Sequence, residues 1–172
     1  MCYYFGKGVE QSYKKAVKWY KQAAEQGHKI AQNNLGVCYE RGLGVGQSYQ
    51  EAIRWYEKSA EQGETQAQYN LAICFHEGMG TSKSPTEALK WAQRAAEQGH
   101  PSAQHLLAYY CLQGIGCKPS FKAAVEWYTK AAEQGHVPSQ KSLAACYEDG
   151  YGVPKSKEKA AYWRKRAENG GK

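Results

Sequence analysis

The chain has 172 residues, a net charge of +7 and 13% aromatic residues. Aromatics are plentiful, and Gly and Pro fall at regular places, which excludes a disordered polypeptide. No apolar run approaches the ~20 residues of a membrane-spanning helix, and Gly6 and Lys7 interrupt the first apolar residues, so neither direct membrane insertion nor a secretory signal is expected. The charge is also uneven. Residues 1–29 carry six Lys/Arg against two Glu and residues 155–172 carry seven against two, while 30–154 holds ten basic and twelve acidic residues. That distribution argues against a nucleic-acid groove and for two solvated basic ends.

Taken in order, the chain repeats itself. The stretch Trp19–Gly27 returns as Trp55–Gly63, Trp91–Gly99 and Trp127–Gly135, each 36 residues on, and as Trp163–Gly170, one residue shorter. A fixed spacing of this size means an array of short supersecondary units. The opening, Met1-Cys-Tyr3-Tyr-Phe-Gly6-Lys-Gly8-Val9, aligns with Val37–Val45, so 1–27 is a truncated first unit. Four complete units follow at 29–63, 65–99, 101–135 and 137–170, in a single array over 1–172. The abrupt start, and an end at Ala167–Lys172 without a polar capping helix, suggest a fragment of a longer array or a shortened gene product.

Within a unit the pattern predicts two helices. Ala31, Leu35 and Tyr39 share one face at helical spacing, and Ala52, Tyr56, Ser59 and Ala60 share another. The pairs Gly42/Gly44, Gly78/Gly80, Gly114/Gly116 and Gly150/Gly152 stop the first helix, since glycine takes the positive φ of a C-cap. Second helices begin near Ser48, Ser84, Ser120 and Ser156, which can cap an N-terminus. Pro85, Pro101 and Pro138 fall in opening turns, where a missing N–H costs little. Gly or Ala beside the leucine (Gly36, Ala72, Ala108, Ala144) lets a neighbouring backbone come close. Each unit is a helix–turn–helix that buries its apolar face only by stacking on its neighbours.

The phrases Ala31-x-x-x-Leu35-Gly36-x-x-Tyr39-x-x-Gly42-x-Gly44-Val45 and Ala52-x-x-Trp55-Tyr56-x-x-Ser59-Ala60-Glu61-Gln62-Gly63, with their copies, resemble the Sel-1-like repeat family, a relative of tetratricopeptide repeats. The resemblance covers essentially the whole chain. It implies an all-α, right-handed α/α solenoid of 36-residue helix–turn–helix repeats, tetratricopeptide-like, that scaffolds other proteins. Family members serve as adaptors in endoplasmic-reticulum quality control, as activators of membrane enzymes and as bacterial proteins acting on hosts, and they share no catalytic residues.

The cysteines follow the period. Cys2, Cys38, Cys74 and Cys146 occupy one repeat position, and packed helices lie ~8–10 Å apart where a disulfide needs Cα atoms within ~7 Å. They read as small buried apolar residues. The secreted, cysteine-rich branch of the family pairs cysteines between successive units at places that here hold Ala-Ala-Glu-Gln-Gly and Ala-Gln. A reducing, cytoplasmic compartment is therefore expected, although the family also includes lumenal proteins and proteins that bacteria secrete. Cys111 and Cys117 break the repeat together, as two buried thiols or as a local disulfide.

An active site in an array should break the repeat. His28, His100 and His136 all follow the helix-ending glycine and belong to the pattern, while His76 and His105 depart from it. Neither has a spacing-defined third ligand or nucleophile, and each Gly-x-Gly lacks the Gly-Lys-Ser/Thr of a phosphate loop. No catalytic residue, metal or cofactor is expected. What varies between units is one face of the first helix: Asn33, Val37, Glu40, Arg41; then Tyr69, Ile73, His76, Glu77; then His105, Tyr109, Leu112, Gln113; then Lys141, Ala145, Glu148, Asp149. Spacings of three and four place each set on one side of its helix. By resemblance to tetratricopeptide arrays that side is concave. Apolar Tyr69, Ile73, Tyr109 and Leu112 at positions open to solvent point to a groove for a protein or peptide partner. The expected function is a non-enzymatic scaffold, with a structural spacer of a larger protein as the alternative and a hydrolase as a distant third.

Overall fold

The computed structural model describes residues 2–6, 8 and 10–171, without the side chain of Cys2. The expected packing of Cys2, the alignment of Val9 with Val45 and the residues Met1, Lys7 and Lys172 lie outside the described residues. Ten α-helices follow one another: α1 (Cys2–Phe5), α2 (Tyr13–Glu25), α3 (Lys29–Arg41), α4 (Tyr49–Glu61), α5 (Thr65–Glu77), α6 (Pro85–Glu97), α7 (Pro101–Gln113), α8 (Phe121–Glu133), α9 (Val137–Asp149) and α10 (Lys157–Glu168). There is no strand among the described residues. The chain divides into two compact units, 1–84 with α1–α5 and 85–172 with α6–α10.

The helix ends show why this sequence makes hairpins. Ser12, Ser48, Ser120 and Ser156 each accept a hydrogen bond from the backbone N–H three residues on, which starts a second helix. Gly42, Gly78, Gly114 and Gly150 take the left-handed conformation that ends a first helix. The next N–H then bonds back, as Leu43 does to the Cys38 carbonyl at 2.9 Å. A second bond, such as Ser48 N–H to Tyr39 O at 2.9 Å, folds the loop over so that the second helix runs back along the first. The second glycine of each pair has another reason to lack a side chain. A Cβ on Gly44 would sit 2.5 Å from the backbone of Tyr13, and one on Gly152 would sit 2.4 Å from that of Phe121. The loop of one repeat thus rests on the start of the preceding second helix.

In the first unit, Ala16, Val17, Tyr20, Ala24, Ala31, Leu35 and Cys38 form a core between α2 and α3. In the second, Ala108, Ala124, Val125, Tyr128, Ala132, Leu143, Ala144, Cys146 and Trp163 do the same. Between repeats, a buried glutamine recurs with the period. The side chains of Gln32, Gln68, Gln104 and Gln140 donate to the carbonyls of Ala24, Ala60, Ala96 and Ala132 at 3.0–3.1 Å. Each adds a second donor to a last-turn carbonyl that also accepts from the N–H of the glycine closing that helix, Gly27, Gly63, Gly99 or Gly135, at 3.0 Å. At Gly36 the close neighbour is a side chain as well as backbone: a Cβ there would meet the Tyr56 ring at 2.6 Å and the Ala52 carbonyl at 3.2 Å. Cys38, Cys74 and Cys146 are buried free thiols, as their position implies. Tyr110-Cys111 inverts the Cys-aromatic order of Cys38-Tyr39, Cys74-Phe75 and Cys146-Tyr147, and it is Tyr110 that is fully buried.

Candidate partner-binding face

In residues 1–84 the variable face of α3 lines a cleft of about 340 Å³. Asn33, Val37, Glu40 and Arg41 all contribute to its wall, together with Tyr4, Phe5, Tyr20, Asn34, Tyr56, Gln66 and Asn70. Arg41 is exposed, whereas Val37 and Glu40 are half-buried. Asn33 corrects the expectation of an open residue. It is 6% exposed, because its Oδ1 accepts from Asn70 Nδ2 at 3.1 Å, and Asn70 Oδ1 in turn accepts from Gln66 Nε2 at 3.0 Å. Glu40 Oε2 accepts the Tyr56 hydroxyl at 2.5 Å.

Burial pushes the Tyr20 phenol up to about 12, with smaller effects of Cys38 and Tyr4. Tyr56 is driven up further, first by burial and then by its bond to Glu40. Both keep their proton at physiological pH, so Tyr56 is the donor in that bond. Farther along the same unit, Tyr69, Ile73 and His76 are half-buried and Glu77 is exposed. His76 Nε2 lies 3.7 Å from Glu77 Oε1.

In residues 85–172 the face is more open. Tyr109 is 39% exposed, and Gln113, Lys141, Ala145, Glu148 and Asp149 are exposed. Glu148 pairs with Arg164 of α10. Leu112 is half-buried and packs against the core cluster that holds Leu143 and Trp163. His105 is half-buried, with Nδ1 3.0 Å from Ser139 Oγ.

Sequence reasoning missed the tyrosines of the second helices. Tyr20 and Tyr56 belong to the Trp-Tyr words and read as packing, yet both also reach the cleft wall. A signal was present: that position holds Tyr20, Tyr56 and Tyr128 but Ala92 and Arg164 in the other two units, while the tryptophan before it never changes. The role of the glycine-following histidines was also hidden. His28 and His100 are helix N-caps, accepting through Nδ1 from the N–H of Ala31 and Ala103 at 3.4 and 3.2 Å.

Among the described residues no group of three or more His, Cys, Asp or Glu could hold a metal ion, and no helix is long and apolar enough to cross a membrane.

The Sel1 repeat model matches the chain five times, at 1–28, 29–64, 65–100, 101–136 and 137–172. Among solved structures, a Sel1 repeat protein from Oxalobacter formigenes is 40% identical with a TM-score of 0.92; the alignment covers 98% of this chain and 67% of that one. A protective antigen present in uropathogenic Escherichia coli strains, displaying an SLR fold, is 34% identical with a TM-score of 0.93; there 98% of this chain spans 36% of the antigen. A Sel1 repeat protein from Klebsiella pneumoniae subsp. pneumoniae is 25% identical with a TM-score of 0.63, covering 89% of this chain and 73% of its own. No curated protein matches. The helical hairpins are those of an α/α solenoid of tetratricopeptide-like class, and such repeats are in general protein–protein interaction modules. With five matches that together span all 172 residues, the chain belongs to the Sel1 repeat family.

Proposed function

We propose that the protein is a non-enzymatic scaffold that holds a segment of a partner protein against the variable face of its first helices. The observation that carries this reading is the cleft in residues 1–84. It is walled by the rings of Tyr4, Phe5, Tyr20 and Tyr56, and its polar groups are of both signs and of amide type: Glu40, Arg41, Asn33 and Asn34. Within that wall Asn33 Oδ1 accepts from Asn70 Nδ2, which fixes the orientation of the amide. Aromatic walls with a few fixed polar groups are what an extended peptide needs, apolar area for side chains and paired donors and acceptors for its backbone. In 85–172 the same reading assigns contacts to Tyr109, Gln113 and Lys141. The free thiols of Cys38, Cys74, Cys111, Cys117 and Cys146 fit a reducing compartment such as the cytoplasm.

The test is capture of a partner by the immobilised chain and by two variants. Arg41→Ala with Tyr109→Ala should keep the wild-type melting temperature and lose a stoichiometric partner, since aromatic and Arg anchors often carry ~2 kcal/mol or more. Leu107→Ala should destabilise by roughly 2–5 kcal/mol as a packing position. A double variant that holds the partner as tightly as the wild type places binding on another surface.

A further inference from the structure

Two residues of 85–172 that depart from the repeat meet inside the molecule. Ser139 stands where other units have Ala31, Ala67 and Ala103, and His105 stands where they have Asn33, Tyr69 and Lys141. Ser139 is fully buried at 0%. Its Oγ lies 3.0 Å from His105 Nδ1 on α7 and 2.9 Å from His136 Nδ1 at the start of α9. The two imidazoles are 5.3 Å apart between ring centroids, and the Tyr128 ring of α8 lies 5.2 Å from His105. His136 is the N-cap of α9 yet makes no side-chain cap bond, because its Nδ1 is turned to the hydroxyl instead.

The proton count at this point is tight. A serine hydroxyl has one hydrogen and two lone pairs, and a neutral imidazole has one donor and one acceptor nitrogen. With both rings neutral, Ser139 donates to one Nδ1 and accepts from the other. One ring then carries its hydrogen on Nε2, its partner on Nδ1, and every contact is satisfied. If the accepting ring takes a proton, both Nδ1 atoms carry hydrogen; the two lone pairs of the hydroxyl can accept from both, but its own hydrogen must turn to a carbonyl of its own helix turn, and a charge is placed where burial opposes it. If both rings are charged, two cations stand about 5 Å apart where burial already disfavours charge.

We propose that His105, Ser139 and His136 form a proton-sensitive latch between α7 and α9, tightest with both rings neutral and weakened as the two buried rings take up charge and repel each other. The groups facing it strengthen the sense of the switch. His100, at the start of α7, adds repulsion to a charged His136. Tyr128 of α8 stays neutral over this range, its phenol raised chiefly by burial although a hydrogen bond with Ser142 of α9 opposes this. Among the described residues no carboxylate is among the groups that act on either ring. Burial holds His105 and His136 below the ordinary value, with His136 adding to the effect on His105. A folded-state value below the unfolded ~6.5 means that the latch stabilises fully above about pH 6.5. Its contribution is lost as pH falls from there through the lower folded value.

The test uses the whole chain, with imidazole NMR and thermal melts at pH 7.5 and 5.5. At pH 7.5 the nitrogen shifts should show one of the two rings protonated on Nδ1 and the other on Nε2, and both should titrate below the ordinary histidine range. Acidification should lower the melting temperature of the wild type, and His105→Asn, the residue of the second repeat, should lose at least half of that drop. Should His105→Asn not fold, the tautomers and titrations of the wild type decide alone. Two Nε2–H rings, ordinary titration of both, or an undiminished acid sensitivity in His105→Asn would each overturn the latch.

Discussion

Tyr56 on α4 donates its phenolic hydrogen to Glu40 Oε2 at the end of α3, at 2.5 Å, so the two helices of one hairpin are joined across the wall of the cleft. Tyr56 is fully buried and Glu40 is half-exposed. Tyr56→Phe removes the bond to a charged acceptor, of a kind that contributes about 1.5–3 kcal/mol. Glu40 can turn partly to water, so the lower end of that range is expected from urea denaturation. An unchanged midpoint would show that water replaces the phenol without loss.

The glycine pairs give a cleaner contrast. Gly27 and Gly44 both have positive φ, +89° and +74°. A Cβ on Gly27 meets nothing within 4 Å, whereas one on Gly44 lies 2.5–2.7 Å from the backbone of Tyr13 and Lys14. Gly27→Ala should cost only the left-handed backbone, ~1–2 kcal/mol. Gly44→Ala carries that cost and must also lift the loop off α2, roughly 1–3 kcal/mol more. Equal losses in the two variants would mean that the loop moves freely over the helix it rests on.

The repeat, its hairpins and the serine and glycine caps were legible in the sequence because each is set by neighbours a few residues away: Ser48 by Glu51, Gly42 by Cys38. The buried cysteines at 38, 74 and 146 were legible for the same reason, being fixed by helix phase. What escaped depends on partners one unit away. Asn33 is buried with a hydrogen bond from Asn70, 37 residues on, and Leu112 is half-buried against a core that includes Leu143 and Trp163. His136 reads as part of the pattern until Ser139 and His105 are seen beside it. Variation between units marks one face of the first helices, but not which of its side chains are buried.

The first repeat should open most readily. Its first helix is represented by the four residues of α1, so α2 has less to pack against than any later second helix. Trp19 is 59% exposed where Trp91 and Trp163 are 8%, and Ala23 is half-buried where Ser59, Ala95 and Ala131 are fully buried. In a one-dimensional stack a unit with fewer interfaces unfolds first. Hydrogen exchange is expected to be fastest over 2–26. Trp19→Phe should remove the most quencher-accessible component of the tryptophan emission. Slowest exchange within α2 would contradict the reading.

The thiols should react in an order set by burial. Burial raises Cys38 to about 11 and Cys74 to about 12, with Glu40 adding to the latter. At pH 8 the first is a thiolate only about once in 10³, and both lie inside the core. Cys111 and Cys117 are half-buried, at the end of α7 and in the loop that follows it. Cys117 Sγ lies 3.9 Å from the Tyr110 carbonyl and within hydrogen-bonding reach of the Cys111 thiol, whose own value is raised first by burial and then by Cys117. Alkylation of the native chain at pH 8 without reductant, read by peptide mass, should therefore modify Cys111 and Cys117 before Cys38 and Cys74. Both modified on one peptide confirms two free thiols at the loop. If that peptide stays unmodified until a reductant is added, the pair is a disulfide and the compartment need not be reducing. If Cys38 or Cys74 reacts first, the hairpin cores open faster than the loop exposes its sulfur atoms.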